Sequence, residues 1–493
     1  MARALVAAPC QNASMRRPRP TLALAAVVCA AACATNPATG KKQLMLVSEA
    51  QELAMGRASD AEVVAAYGLY ADAEIQAYVD RIGQRLAAAS ERPGLPWSFK
   101  VVDDPAVNAF ALPGGFIYVT RGILAHLGSE AQLAGVIGHE IGHVTGRHSA
   151  QQMSQQQLAM GGLLVGMVAV PELQQYGGLV QQGLGLLFLK FGRDDENEAD
   201  QLGLRYMTRE AYEPRELLEV FGVLDRVTRE AGGGRLPDWL STHPSPGDRA
   251  TRIGSAIVPG SAADRTVNRA DYLRRLDGMV YGENPREGFF QANAFLHPEL
   301  RFTLAFPRGF TTRNQKQAVV GVSQAQDALV ALTLAAEASV EEAARRFLSQ
   351  QGLSAGRAGR DSIGGLPAYS ALFEAATDEG SLRGQVAFVA KDGRVYRILG
   401  YTPAARFASY QGVFDAAIRS FRALEDPRYL GVQPKRIEIV GLQQRMPLAE
   451  FARVYPSTVK IETIALINGL APGAALAGGD LAKRVVGGGL PSP

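Results

Sequence analysis

The sequence predicts a multidomain chain: a mainly α-helical domain with a small β-sheet, then an α/β sandwich, then a small βαα module. Three observations predict it. From residue 48 to about 258, apolar residues recur at helical spacing and one β-branched, aromatic run interrupts them. Between 288 and 425, strand-like and helix-like patterns alternate, and from 430 to 489 two short helical patterns follow a strand. The boundaries read as 1–32 for an export leader, 33–260 for the first domain, 261–287 for a linker, 288–425 for the sandwich and 430–489 for the last module. With 493 residues and 47% apolar composition, the chain has material for several cores.

The leader sets Arg16, Arg17 and Arg19 before the apolar run 22–32, which is short for a membrane span. All three cysteines, Cys10, Cys29 and Cys33, lie in it or at its end. The body therefore has no disulfide and no thiolate for catalysis or metal binding. Part of the formal charge of +3 is the leader's own arginines, so the body lacks the basic bias of a nucleic-acid binder. Cys33 follows three alanines and precedes Ala34-Thr35-Asn36-Pro37, which resembles a bacterial lipoprotein processing site. That resemblance implies an acylated Cys33 and a chain lying on a membrane, the outer one, rather than through it.

In the first domain the helical segments are 49–55, 75–86 and 130–157, and the strand is 116–120, which follows Pro113-Gly114-Gly115. Residues 158–170 and 179–191 are apolar and glycine-rich, but Pro171 and paired glutamines keep both below spanning length. They read as buried or substrate-facing helices, with a membrane or partner surface as the alternative. A short helix near Tyr272 marks the linker. The sandwich has strands at 300–306, 318–322, 328–334, 382–389 and 395–399, with helices at 340–351 and 407–421, and resembles the PsbP-like fold. In the tail, 448–452, 461–467, Asn468-Gly469-Leu470 and 478–481 resemble a LysM-type module. Its two readings are peptidoglycan binding and packing against its own chain.

His139-Glu140-Ile141-Gly142-His143 is an HExxH motif inside a helical apolar pattern. Residues four apart on a helix are separated by roughly 40° about its axis, so both imidazoles can reach one ion. Zn2+ accepts neutral imidazole and carboxylate ligands, and its catalytic sites use three protein ligands plus water. Glu140, beside them, is the base for that water. A third ligand must come from elsewhere, and the run 193–200 offers Glu196 and Asp200 on one helical face. One of these carboxylates can bind the ion while the other accepts the remaining N–H of a ligating imidazole. Glu198 faces elsewhere. His148, nine residues after His139, lies about half a turn away on a straight helix and reads as a surface or capping residue. His126, His297, Trp97 and Trp239 read as structural, although Trp239 is near enough in sequence to His243 to shape the site.

Together HEIGH, the downstream GRDDENEADQLG and Thr242-His243-Pro244-Ser245-Pro246-Gly247-Asp248-Arg249 resemble the HtpX-type gluzincin metallopeptidases, above all their periplasmic BepA/LoiP-like lipoproteins. Asn108 to Gly115 and the segment 39–44 are similar too, so the resemblance covers about 33–260. It implies a zincin-like metallopeptidase domain with one Zn2+ on His139, His143 and Glu196, Glu140 as base, and Asp200 behind a ligating imidazole. It also implies an extended peptide substrate along a sheet edge, for which the strand 116–120 is the expected template. His243 or Arg249 would stabilise the oxyanion of the attacked carbonyl. Alternatively, His243 would fill the fourth metal position and hold the enzyme latent.

The resulting expectation is a zinc endopeptidase of the bacterial envelope, acting on misfolded or stalled outer-membrane and periplasmic proteins, without nucleic acid. The competing expectation is an assembly chaperone or peptidoglycan-associated scaffold with a latent zinc site. An intramembrane protease is disfavoured because no segment of the body is long enough to span.

Overall fold

The structure is a computed structural model that describes residues 33–163, 191–230, 243, 246–258, 265–377, 380–471 and 473–491. The leader, residues 164–190 of the apolar stretches and Trp239 lie outside the described residues. Among those described, no helix is long and apolar enough to cross a membrane.

The first domain opens with a hairpin, β1 (Cys33–Thr35) and β2 (Lys42–Leu44), followed by α1 (Glu49–Tyr67) and α2 (Ala73–Ala88). Ser48 and Gln51 form a reciprocal capping box on α1, and Asp72 caps α2. A three-stranded sheet follows, made of β3 (Ser98–Val102), β4 (Ala109–Leu112) and β5 (Phe116–Thr120) in the order β3-β5-β4. This order corrects the expected template. Phe116–Thr120 is the central strand, parallel to β3, antiparallel to β4 and buried along its whole length. Its run of apolar residues on both faces is what a doubly covered strand needs. β4 is an outer strand of this sheet, and among the described residues no strand other than β5 pairs with it.

After α3 (Arg121–His126) comes α4 (Glu130–Thr145), buried along its whole length and capped by Ser129. The periodicity across 130–157 predicts one helix, but the chain breaks it. Arg147 adopts φ 59° and α5 (His148–Leu163) starts in a new direction. Then α6 (Arg193–Arg209), α7 (Glu216–Glu230) and α8 (Pro246–Ala256) close around α4. Their apolar faces form one core with the sheet: Ile82, Val101, Ile117, Leu133, Ile137, Tyr206 and Phe221 are members. The segment read as a linker joins that core through Tyr272, Leu273, Leu276 and Met279 of α9 (Arg269–Arg275) and the turn after it.

The following region has a four-stranded and a seven-stranded sheet, and all pairings in both are antiparallel. Along Gly380–Lys391 the pleat alternates. Val386 and Phe388 pack with the helix Val340–Leu348, whereas Ala387 and Val389 pack with the helix Phe407–Arg419. The hairpin of Leu353–Ile363 and Leu366–Thr377 escaped the sequence reading, because its first strand is largely exposed and interrupted by Gly356, Arg357, Gly359 and Arg360. Pairing holds it in place rather than propensity.

In the tail, the strands Lys435–Gly441 and Leu481–Gly487 pair around the helices Leu448–Val454 and Ile461–Ile467, so a second strand closes the βαα pattern. The tail is also stitched to the first domain. Its sheet takes β6 (Val280–Tyr281) as third strand, and Ile437 enters the first domain's core. The buried Lys483 amino group donates to the carbonyls of Ala125 (2.9 Å) and Leu127 (2.6 Å).

Candidate metal centre

Two helices build the site. The four-residue spacing on α4 puts His139 and His143 on one face, with their Nε2 atoms 3.0 Å apart. The first turn of α6 brings Glu196 opposite them, its Oε2 3.6 Å from His139 Nε2 and its Oε1 3.5 Å from His143 Nε2. One turn further, Asp200 Oδ1 lies 3.0 Å from His139 Nδ1, so Asp200 fixes the ring that Glu196 faces. His243 joins from the segment before α8, its Nδ1 2.6 Å from Glu196 Oε1. Donor atoms of His139, His143, Glu196 and His243 all fall within 4.8 Å of one another. Every one of these residues is at most 2% exposed.

Arg249 of α8 ties the carboxylates together. It grips Asp200 in a fork, Nε to Oδ2 at 2.8 Å and Nη2 to Oδ1 at 2.6 Å, and its Nη1 stands 2.9 Å from Glu196 Oε2. Burial alone would raise both carboxyls. Hydrogen bonds from Arg249 and His139 instead lower Asp200 to about 2, and His243 and His143 hold Glu196 well below its ordinary range. Both carboxyls are anionic. Burial pushes His143 far down, which leaves the neutral imidazole a metal needs. For His243 burial also favours the neutral ring, but the Glu196 charge outweighs it and raises the pKa.

Burial raises Glu140, and its Oε1 is buried without a hydrogen-bond partner, 3.9 Å from His243 Nε2. An orphaned carboxylate oxygen beside two imidazoles and a carboxylate is a poor core but a good reception for an ion with its water. The donor set, nitrogen and oxygen without thiolate, suits zinc.

Every residue singled out in the sequence for this centre converges here: His139, Glu140, His143, Glu196, Asp200, His243 and Arg249. Two neighbours were missed. Phe191 stacks on His143, with ring centroids 4.1 Å apart. His148, expected on the far side, is 2% exposed and its Nδ1 lies 3.0 Å from His143 Nδ1. The left-handed Arg147 turns it back, and only the glycine at 146 hinted at a break. His126 and His297 stay outside the cluster; each hydrogen-bonds backbone, at Gly122 O and Leu300 N.

An HExxH helix crossed by a second helix that supplies a carboxylate defines a metallopeptidase of the gluzincin type. The chain matches Peptidase family M48 over residues 73–257. It is 38% identical over 175 residues to the mitochondrial metalloendopeptidase OMA1 of Arabidopsis thaliana, covering 35% of this chain and 34% of that protein. It is 30% identical over 250 residues to the β-barrel assembly-enhancing protease of Yersinia pestis, covering 47% of this chain and 49% of that protein. The matched region thus spans a third to a half of these relatives' own length. Among solved structures, cyanobacterial PsbP from Synechocystis sp. PCC 6803 aligns at 14% identity with a TM-score of 0.23, covering 27% of this chain and 94% of that one. At that similarity it carries no argument.

Proposed function

We propose that the chain is a zinc-dependent endopeptidase of the bacterial cell envelope that cuts misfolded or stalled outer-membrane and periplasmic proteins. The observation that carries the peptidase reading is the buried Glu140 Oε1, without a hydrogen-bond partner, set beside the His139, His143 and Glu196 donors. Bound zinc supplies the Lewis acidity that polarises a peptide carbonyl. Glu140 takes the proton of the attacking water and returns it to the departing amide nitrogen; its raised pKa suits both transfers. Asp200 and Arg249 keep His139 and Glu196 oriented. An extended substrate pairs with the edge of β4, Ala109–Leu112, that no described strand occupies, and this edge takes the place of Phe116–Thr120 as template.

The envelope substrates and the location rest on three supports: the β-barrel assembly-enhancing proteases among the relatives, the leader pattern, and Cys33 as the site of a lipid anchor to the outer membrane. Peptidoglycan is a further partner of the LysM-like tail in this reading.

The test is Glu140→Gln in the full chain, with zinc stoichiometry and cleavage of an unfolded porin measured together. Zinc should stay bound while cleavage falls by about 100-fold or more. Undiminished cleavage would remove Glu140 as base. A variant strain indistinguishable from wild type under envelope stress would favour the chaperone or scaffold reading.

A further inference from the structure

His139 and His143 are supported differently. A carboxylate, Asp200, holds His139 directly, whereas behind His143 stands another imidazole. The His143 ring turns Nε2 toward His139 and Glu196, so Nδ1 carries its proton and donates to His148 Nδ1, 3.0 Å away. An acceptor at Nδ1 leaves His148 protonated on Nε2, and that atom lies 3.4 Å from Glu198 Oε1. Glu198 Oε1 in turn accepts from Asn36 Nδ2 at 2.5 Å. Asn36, only 2% exposed, sits in the turn between β1 and β2, three residues after Cys33. Asn36 and Gln43 also donate to the Gly146 carbonyl, at 3.4 and 3.1 Å, at the point where α4 ends.

Three features hold this chain of contacts in place. Arg147, in its left-handed conformation, is pinned by Glu52 Oε1 (2.8 Å) and the Val47 carbonyl (2.9 Å). Gly146 leaves room, since a Cβ there would stand 2.4 Å from His148 Nε2 and 3.0 Å from Glu198 Oε1. The Glu198 carboxylate closes the chain, its Oε1 set between Asn36 Nδ2 and His148 Nε2.

We infer that His148 and Glu198 are positioning residues of the metal centre, fixing His143 in the tautomer that offers Nε2 to the ion, and that the amino-terminal hairpin holds this relay together through Asn36. The inference rests on His139, His143 and Glu196 being the zinc ligands. It makes the hairpin a structural part of the zinc site.

The test is zinc affinity by chelator competition in the full chain, with the visible spectrum of the cobalt-substituted protein as the readout of ligand geometry. His148→Phe, which keeps a ring but removes the acceptor, and Glu198→Leu should each weaken zinc about 10- to 100-fold and alter the cobalt bands. Glu198→Gln, which retains an acceptor oxygen, should recover most of the affinity. Gly146→Ala should reproduce the His148→Phe loss with every relay group present, and Asn36→Ala should give a smaller loss in the same direction. Wild-type affinity and spectrum in His148→Phe and Glu198→Leu would overturn the inference. So would losses matched by equal falls in the metal-free melting temperature with unchanged cobalt bands, since that pattern belongs to a purely structural role. Should either variant fail to fold, Gly146→Ala and Asn36→Ala decide, and wild-type affinity in both overturns it. A wild-type chain that binds no zinc would instead overturn the ligand assignment beneath it.

Discussion

Gly138 of α4 and Gly203 of α6 meet backbone to backbone: a Cβ on Gly203 would lie 2.8 Å from the His139 nitrogen and 3.0 Å from the Gly138 carbonyl carbon. This contact lets Glu196, two turns earlier on α6, reach the two imidazoles. Gly203→Ala should force the helices apart, cost about 1–3 kcal/mol of stability and weaken zinc binding. Thermal unfolding and chelator competition measure the two effects, and unchanged zinc affinity would show that the crossing does not set the site.

Arg249 compensates two buried carboxylates at once. Arg249→Leu should destabilise the metal-free protein by about 3–5 kcal/mol, the order expected when one partner of a buried ion pair is removed. Arg249→Lys should rescue little, because an ammonium cannot make the fork to Asp200 and still face Glu196. Denaturant titration in a chelator reads this, and full rescue by lysine would refute the fork.

His243 stands among the four donors rather than beside them. A histidine in that place would compete with water for a bound ion, so His243→Ala should raise peptidase turnover while leaving zinc stoichiometry at one per chain. A fall in turnover would rule out latency and return His243 to the oxyanion role.

Away from the site, burial lowers His126 to about 4, although its ring bonds the Gly122 carbonyl. Unfolded histidine titrates near 6.5, so between about pH 6.5 and 4 the unfolded chain binds a proton that the folded chain refuses. Stability should therefore fall as the pH drops through this window, by up to about 3 kcal/mol from this residue, and then level off. His126→Gln should flatten that part of the pH profile in denaturant titrations; an unchanged slope would assign it to other groups.

The convergence of these side chains was legible in the sequence because their spacing is their geometry. His139 with His143, and Glu196 with Asp200, are each one helical turn apart, and a helix turns that interval into a shared face. What failed was whatever depended on a partner distant in the chain. The place of Phe116–Thr120 inside its sheet is set by β3 and β4, and its apolar run fitted an edge or a centre alike until the order was known. His148 was misplaced because the periodicity of 130–157 continues smoothly across Arg147, and that break is enforced from Glu52 and Val47. The hairpin of Leu353–Ile363 was missed for a similar reason, since its glycines and arginines become strand only beside Leu366–Thr377.

The amino group of Lys483 reaches Ala125 and Leu127 across a separation of more than 350 residues, and Ile437 completes a core begun before Val101. Closing so long a loop comes late, after local helices and hairpins have formed. Residues 435–487 and the HExxH domain are therefore one folded body, and cutting between them should strip the Ala125 and Leu127 carbonyls of a donor and take Ile437 out of the core.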